Sequence, residues 1–187
     1  MKIKIPFIFL TLIIFSTNYS GAAKLEVTES QVGFIALATP GALKISGKEG
    51  DAKGLKTEIY FEQGKLGGTS TLKLDTLTTG IGLRDKHMKE NYLEVSKFPE
   101  TQFTYKKLNL PSQLTGEKIP FEGVLKLHGV EKPVSGMVKA AKEGSKLSLE
   151  HEFKIKTGDF GISTPKYMGV TMGEEVVVQV KIEGTLP

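Results

Sequence analysis

The side chains best suited to polar recognition crowd into one stretch near the middle of the chain. Arg84 and His87 lie there among apolar residues, where the β-branched residues of the flanking segments become scarce. Leu83, His87 and Tyr92 are about one helical turn apart, which predicts a helix. In such a helix, Leu83, Met88 and Tyr92 are candidates to contact an apolar ligand chain. Arg84 and His87 are candidates to hydrogen-bond an oxygen or amide at its polar end.

This stretch, residues 79–103, also permits a purely structural interpretation. Arg84 could pair with Asp85 or with a backbone carbonyl group, and His87 could pack without contacting a ligand. The sequence leaves both interpretations open, because a binding pocket needs only a few polar groups among many apolar ones.

A further candidate for polar contact, His151, is identified by its spacing. It shares the two-residue parity of Leu147, Leu149, Phe153 and Ile155, so its side chain is expected to point to the apolar side of a strand. A neutral imidazole in that environment needs a hydrogen-bond partner. The partner is either a ligand or a nearby Ser or Tyr of the core.

Neither a metal centre nor a catalytic site is indicated. The three histidines, His87, His128 and His151, show no His-x-His or His-x3-His spacing, and the chain has no cysteine. A close pair of metal ligands is therefore missing from the sequence. It also lacks a Gly-x-Ser-x-Gly elbow for nucleophilic catalysis. We expect no metal, no catalytic cofactor and no enzymatic activity.

The segments on either side of the predicted helix alternate between apolar and polar residues, as strands with one buried face do. In the last of them, Val176, Val178, Val180 and Ile182 share one face. Eight or nine such strands, separated by glycine-rich turns, predict an all-β antiparallel sandwich or barrel. Small inward residues such as Ala36 suit a barrel with internal space, although a well-filled core could show the same mixture.

The first 22 residues predict a cleavable secretory signal peptide. Lys2 and Lys4 precede an apolar run, and small residues at 20–23 offer a cleavage site. Without these two lysines the 25 basic residues fall to 23, against 21 acidic ones, so the mature net charge is +2. Such a balance does not favour nucleic-acid binding. Residues 23–187 are expected to form one secreted or periplasmic domain that is not an integral membrane protein and, lacking cysteine, carries no lipobox.

Several short motifs follow one another in the order typical of a single family. They are SQVGF at 30–34, TG at 79–80, RDKHM at 84–88, YL at 92–93, KFP at 97–99, LHGVEKPV at 127–134, DFGI at 159–162 and GEEV at 173–176. Each motif is weak alone, but together they span nearly the whole mature chain. On these motifs, the sequence resembles the YceI family of lipocalin-like, polyisoprenoid-binding periplasmic proteins.

The resemblance implies an extended, eight-stranded antiparallel barrel of the lipocalin type, with a short helical insertion between strands 4 and 5. It also implies non-catalytic transport or sequestration of a long amphiphile, such as an isoprenoid quinone, a polyprenyl chain or a fatty acyl derivative. Residues 40–53 depart from the family pattern, because they are richer in glycine and charge than the aromatic strand expected there. The sequence therefore does not define the width of one end of the tunnel or the part of the ligand that this end would hold.

The expected tunnel lining combines inward-facing strand residues with apolar residues of the helical insertion and of the loop after residue 157. It comprises Val32, Phe34, Ala36, Leu72, Leu74, Leu83, Met88, Tyr92, Phe103, Tyr105, Leu125, Leu127, Phe153, Ile155, Phe160, Ile162, Met168, Val178 and Val180. The candidates for the polar end of the ligand are Arg84, His87 and His151.

Two alternatives to a lipid carrier remain. One is a stress-response or protein-interaction module whose barrel is filled. The other is an enzyme acting on isoprenoid or quinone substrates, with His87 or His151 as proton acceptor. The expected partner is a long-chain lipid, and a transient membrane contact and a homodimer are left open.

Overall fold

The computed structural model describes residues 22–39, 43–50, 53–167 and 169–187. The predicted signal peptide, apart from Ala22, and the predicted lining residue Met168 lie outside the described residues. The strands are β1 (Ala23–Lys24), β2 (Glu26–Thr39), β3 (Leu43–Glu49), β4 (Leu55–Glu62), β5 (Lys65–Lys73), β6 (Leu77–Thr78), β7 (Glu100–Asn109), β8 (Thr115–Leu127), β9 (Val130–Glu143), β10 (Lys146–Lys156), β11 (Lys166–Tyr167) and β12 (Val170–Thr185).

Among the described residues, helical structure is confined to short pieces. One 3₁₀ turn, Leu74–Thr76, separates β5 from β6, and another, Thr157–Phe160, follows β10. The predicted helical insertion consists of α1 (Gly82–His87) and one π-helical turn (Met88–Tyr92). We call residues 82–92 the flap.

The strands form one antiparallel sheet in the order β1-β4-β5-β7-β8-β9-β10-β12-β2-β3-β6, with β11 paired to β12. The sheet curls until its two sides meet, because β1 pairs with β4, β2 pairs with β12, and only Leu25 separates β1 from β2. The Leu25 N–H donates to the Ile59 carbonyl of β4 at 2.9 Å. This arrangement confirms the predicted all-β, lipocalin-like class.

The number of strands differs slightly from the expected eight. The described residues form twelve, but three of these, β1, β6 and β11, have only two residues each. Nine of the twelve have seven or more residues. Among these nine, the flap lies between the fourth and the fifth, as predicted.

Two-residue alternation decides which side chains enter the barrel. Along β10, Leu147, Leu149, His151, Phe153 and Ile155 are all buried, while most of the residues between them are exposed. The outer face is therefore solvated and the inner face is apolar.

The barrel is filled in the half that contains the β4–β5 and β9–β10 turns. The core there includes Leu25, Ile59, Leu66, Leu147 and Leu149, each almost completely buried. An aromatic layer crosses the barrel next to this core and consists of Phe103, Tyr105, Phe121 and Phe153. Ring centroids in the layer lie 4.7 Å apart for Phe103 and Tyr105 and 5.8 Å apart for Phe103 and Phe153.

A buried carboxylate closes the seam between β2 and β4, which lie side by side but are not paired as strands in the described part of the chain. Glu49, at the end of β3, is 2% exposed. Its Oε1 accepts hydrogen bonds from the N–H groups of Gly54 and Leu55 at 2.7 and 2.8 Å, and its Oε2 accepts one from Val32 at 3.3 Å. Three donors offset the cost of burying a charge. The segment that departs from the family pattern thus supplies part of the barrel closure.

Candidate ligand-binding site

The half of the barrel under the flap contains a cavity of about 520 Å³. This volume falls in the range of roughly 300–1,000 Å³ that is typical of small-molecule sites. All the long strands except β9 contribute to its wall. The apolar wall consists of Val32, Phe34, Ile45, Leu55, Leu72, Leu74, Leu77, Ile81, Leu83, Met88, Tyr92, Leu93, Phe103, Tyr105, Leu125, Leu127, Phe153, Ile155, Ile162, Pro165, Val170, Met172, Val176, Val178 and Val180.

Glycines on neighbouring strands make room for two aromatic rings of the wall. A Cβ atom at Gly123 would lie 2.2 Å from the Phe103 ring, and one at Gly47 would lie 2.4 Å from the Phe34 ring. These distances are far shorter than a van der Waals contact. Larger residues at either position would force the rings to move, so the glycines help to define the shape of the cavity.

Two hydroxyl-bearing residues, Ser70 and Tyr105, lie at the floor of the cavity, in or next to the aromatic layer. The Ser70 hydroxyl lies 3.1 Å from that of Thr57. Burial raises the pKa of the Tyr105 phenol far above its usual value, while the neighbouring Ser70 hydroxyl opposes the shift. The phenol therefore remains protonated and able to donate a hydrogen bond at neutral pH.

The mouth of the cavity lies beside the flap. Ile81 and Leu83 belong to the wall, yet they are 53% and 57% exposed. Deeper in the flap, Met88 and Tyr92 are partly buried and pack against the core. The apolar surface of the cavity thus reaches the outside of the molecule at Ile81 and Leu83.

Arg84 is oriented through Thr79 and Asp85. Its Nη2 donates to the Thr79 carbonyl at 2.9 Å. Thr79 in turn donates to the Asp85 carboxylate through its N–H at 2.7 Å and through its hydroxyl, and the Thr78 hydroxyl donates to the other Asp85 oxygen. Partial burial acts to raise the pKa of Asp85, but the hydrogen bonds from Thr78 and Thr79 outweigh it and leave this pKa below its usual value.

The structure therefore decides between the two partners that the sequence allowed for Arg84, a backbone carbonyl and Asp85. The guanidinium hydrogen-bonds a backbone carbonyl, and the described residues contain no ion pair between it and Asp85. Its buried Nε has no hydrogen-bond partner in that part of the chain. Arg84 lines the cavity, so unused donor capacity of the guanidinium remains at the wall.

The other two polar candidates occupy different environments. His87 lies on the cavity wall one turn from Arg84, whereas His151 does not belong to the wall. The His151 ring is 4% exposed and packs against Tyr105 and Phe121, each with a centroid separation of 5.3 Å. Burial lowers the pKa of His151 to about 4, and the Val180 backbone opposes this shift. Neither ring nitrogen has a hydrogen-bond partner among the described residues.

Residues 22–39, 43–50, 53–167 and 169–187 contain neither a cluster of metal ligands nor a membrane-spanning helix. No group of three or more His, Cys, Asp or Glu side chains there could hold a metal ion. No described helix has the length and apolar character needed to cross a membrane.

Comparison with known families matches the YceI-like domain over residues 24–184. The chain belongs to the YceI family. The resemblance seen in the short motifs is thereby confirmed over residues 24–184.

Curated YceI relatives share a moderate level of sequence identity with the chain. Protein YceI of Salmonella arizonae is 31% identical over 121 residues, which cover 61% of this chain and 60% of that protein. Protein YceI of Salmonella newport gives the same values. The matched region thus spans about 60% of the length of these relatives.

Solved structures share the fold of this chain at low sequence identity. BcnA of Burkholderia cenocepacia gives a TM-score of 0.69 at 17% identity, covering 83% of this chain and 96% of BcnA. A polyisoprenoid-binding domain of Saccharophagus degradans, implicated in plant cell wall breakdown, gives a TM-score of 0.64 at 14% identity, covering 89% of this chain and 99% of that domain. At these identities the similarity establishes the fold alone.

Most of the residues predicted to line a YceI tunnel lie on the cavity wall, and the exceptions are Ala36, Phe160 and Met168. Ala36 is buried between its cross-strand partners Ile45 and Val176, whose longer side chains form the wall. Phe160, in the 3₁₀ turn after β10, is buried in the core but does not reach the cavity. Met168 lies outside the described residues, and Arg84 and His87 are at the wall.

Several wall residues were not predicted from the sequence. They are Ile45, Leu55, Ser70, Leu77, Thr79, Ile81, Leu93, Thr101, Thr157, Pro165, Val170, Met172 and Val176. The two-residue alternation could have identified Ile45 and Leu55, since both face inward from regular strands. Ile81 and Pro165 lie in irregular segments, where no periodicity indicates the direction of a side chain.

Proposed function

We propose that this YceI-family protein binds one long apolar or amphiphilic molecule without covalent chemistry, and transports or sequesters it. The observation that carries the proposal is the cavity of about 520 Å³, which has an almost wholly apolar wall and opens beside the flap. Burial contributes about 0.8 kcal/mol per methylene group. A chain burying about ten methylenes would gain roughly 8 kcal/mol before the costs of ordering it are subtracted.

The ligand is oriented with its tail toward the aromatic layer and its polar end toward the flap. Phe103, Tyr105 and Phe153 form the floor that the tail meets. Arg84 and His87 lie on the flap and line the cavity, and they are the proposed contacts for the head of the ligand. His151 is a weaker candidate because it lies behind Tyr105 and Phe121, away from the wall.

The ligand classes that suit this cavity are isoprenoid quinones, polyprenyl chains and fatty acyl derivatives. Each combines a long apolar chain with one compact polar end. Similarity in fold to a domain described as polyisoprenoid-binding supports this choice of class. The chemistry of the wall supports it independently, because nearly all its surface is apolar.

The two alternatives are less well supported. A filled barrel serving as an interaction module is hard to reconcile with a cavity of this size. An enzyme working inside the cavity would depend on His87, since His151 is not part of the wall. Carriage by a secreted or periplasmic protein remains the simpler proposal, and the exposed Ile81 and Leu83 offer a contact surface for transient loading at a membrane.

The direct test is organic extraction of the purified mature protein, residues 23–187, followed by mass spectrometry. We expect close to one equivalent of a long-chain lipid per protein. Val176→Phe, which places a ring in the cavity, should abolish the bound lipid. Val177→Phe is the matched control. Val177 is the next residue on β12, and its side chain lies on the opposite face of the strand and not on the cavity wall.

Two results would overturn the proposal. One is wild-type protein that contains no lipid and also fails to bind added isoprenoid quinone or fatty acid. The other is equal lipid content in Val176→Phe and Val177→Phe, provided that both variants are folded, since that would place the lipid outside the cavity.

A further inference from the structure

We infer that the polar end of the ligand is an anionic oxygen group, a carboxylate or a phosphate, bound by Arg84. This inference rests on the proposed function, because it concerns the head of the molecule held in the same cavity. It names a property that the apolar wall leaves undefined, namely the charge of that head.

The charges around the cavity are unbalanced. Among the described residues of the wall, Arg84 carries a permanent positive charge and none is acidic. The described part of the chain also contains no ion pair to Arg84. A charge held against apolar surroundings is costly unless it is paired. An anion arriving at the end of an apolar chain would supply the missing partner.

Asp85, the acidic residue next to Arg84 in the sequence, already accepts hydrogen bonds from Thr78 and Thr79. The Asp85 carboxylate accepts hydrogen bonds from the Thr78 hydroxyl and from both the N–H and the hydroxyl of Thr79. These bonds hold Thr79, whose carbonyl accepts from Nη2 of Arg84. Asp85 is therefore a positioning residue, which orients the guanidinium through Thr79 without forming an ion pair with it.

The unused donors of Arg84 match an oxyanion better than a neutral oxygen. Nη2 is engaged by Thr79, while the buried Nε has no partner. A guanidinium presents planar, paired donors that suit carboxylate and phosphate oxygens. Hydrogen bonds between two charged groups are about twice as strong as those between neutral ones. A quinone or amide oxygen could accept one hydrogen bond, but it would leave the charge unpaired.

The inference is tested with three compounds that share one chain, namely hexadecanoic acid, hexadecyl phosphate and 1-hexadecanol. Each is titrated at pH 8 against wild-type protein loaded with the neutral dye Nile red, and displacement gives the affinity. We expect at least one of the two anions to bind about tenfold or more tightly than the alcohol, the effect of one charge-assisted bond. The stronger of the two anions identifies carboxylate or phosphate as the preferred head.

Arg84→Met should remove this preference and leave the affinity for hexadecanol within about twofold. Lys86→Met is the matched control: it removes the same charge from the same helix, but Lys86 is exposed and is not part of the wall. Lys86→Met should keep the preference. Arg84→Lys retains the charge without the guanidinium fork, so it should show an intermediate preference and serves as the readout if Arg84→Met does not fold.

Equal affinity of wild-type protein for all three compounds would overturn the inference and leave the proposed function standing. An equal loss of preference in Lys86→Met and Arg84→Met would also overturn it, because the effect would then come from overall charge. Failure of all three compounds to displace the dye would count against the proposed function itself.

Discussion

The imidazole of His128 and the carboxylate of Glu94 meet at 2.9 Å between Nε2 and Oε2, and both residues have left-handed backbones, with φ of 52° and 44°. The other ring nitrogen lies 3.2 Å from the Phe160 carbonyl oxygen, and the Phe98 ring packs on the imidazole at 4.3 Å. Both polar partners are acceptors, so the two hydrogen bonds coexist only when each ring nitrogen carries a proton. One side chain thus joins the β8–β9 turn to the segment after the flap and to the 3₁₀ turn after β10.

His128→Ala should lower the free energy of unfolding by about 1–3 kcal/mol, because it removes two hydrogen bonds and the packing against Phe98. Urea denaturation measures the change. Hydrogen exchange should also become faster at residues 93–98, because this segment loses the bond between Glu94 and the β8–β9 turn.

The control for this prediction is Lys97→Ala. Lys97 also contacts the Glu94 carboxylate, but its side chain is 67% exposed. We expect no measurable loss of stability, as is usual for exposed ion pairs. If His128→Ala is as stable as the wild type, the link between these three segments does not contribute to stability.

Acidification should destabilise the fold partly through His151. Burial lowers its pKa to about 4, whereas the unfolded histidine titrates at 6.5. Between these values the unfolded chain binds a proton that the folded chain does not, so stability falls as the pH decreases from 6.5 toward 4. At about 1.36 kcal/mol per pH unit, the contribution of His151 is roughly 3 kcal/mol.

His151→Leu removes this titration while keeping a buried side chain of similar size. Urea unfolding of both proteins at pH 7 and pH 4.5 should show a smaller loss of stability for the variant. Carboxylates contribute to the pH dependence of both proteins, so the difference between the two losses isolates His151. Equal losses would mean that His151 is protonated as readily in the folded state as in the unfolded one.

Glu49→Gln should destabilise the protein by roughly 2–4 kcal/mol, measured by denaturant unfolding. The glutamine amide keeps one acceptor oxygen but turns an NH₂ donor toward backbone N–H groups, leaving buried donors unsatisfied. Glu58→Gln is the control, because Glu58 lies on β4 with an exposed carboxylate 3.4 Å from Lys24. A similar effect of both substitutions would show that the seam between β2 and β4 does not depend on the buried carboxylate.

Local periodicity was sufficient to predict the direction of most strand side chains. Leu147, Leu149, Phe153 and Ile155 are buried as their alternation predicted, because successive residues of any strand point to opposite faces. The flap was predicted less completely. Its spacing indicated a helix, but regular α-helix extends only over Gly82–His87. So short a helix depends on tertiary packing, which sequence spacing does not describe.

In the candidate site, two-residue periodicity does not predict which inward-facing residues line the cavity. Ala36 and Val178 have the same inward parity, yet only Val178 reaches the cavity, because the neighbours of Ala36 on two other strands cover it. The sequence likewise indicated Arg84 as a polar candidate. Its orientation depends on Thr79 and Asp85, because the Thr79 carbonyl accepts from Nη2 of Arg84 and the Asp85 carboxylate holds Thr79 in place.

The sequence by itself determined the family, the all-β class, the inward-facing residues and the position of the flap, because each of these is recorded in short motifs or in a two-residue period. Tertiary structure decided which inward residues enclose empty space, that His128 bonds residues 32 and 34 positions away, and that Glu49 faces three backbone donors. These features arise from strands that converge only when the sheet curls. No local pattern in the chain specifies how far apart the curled strands will lie.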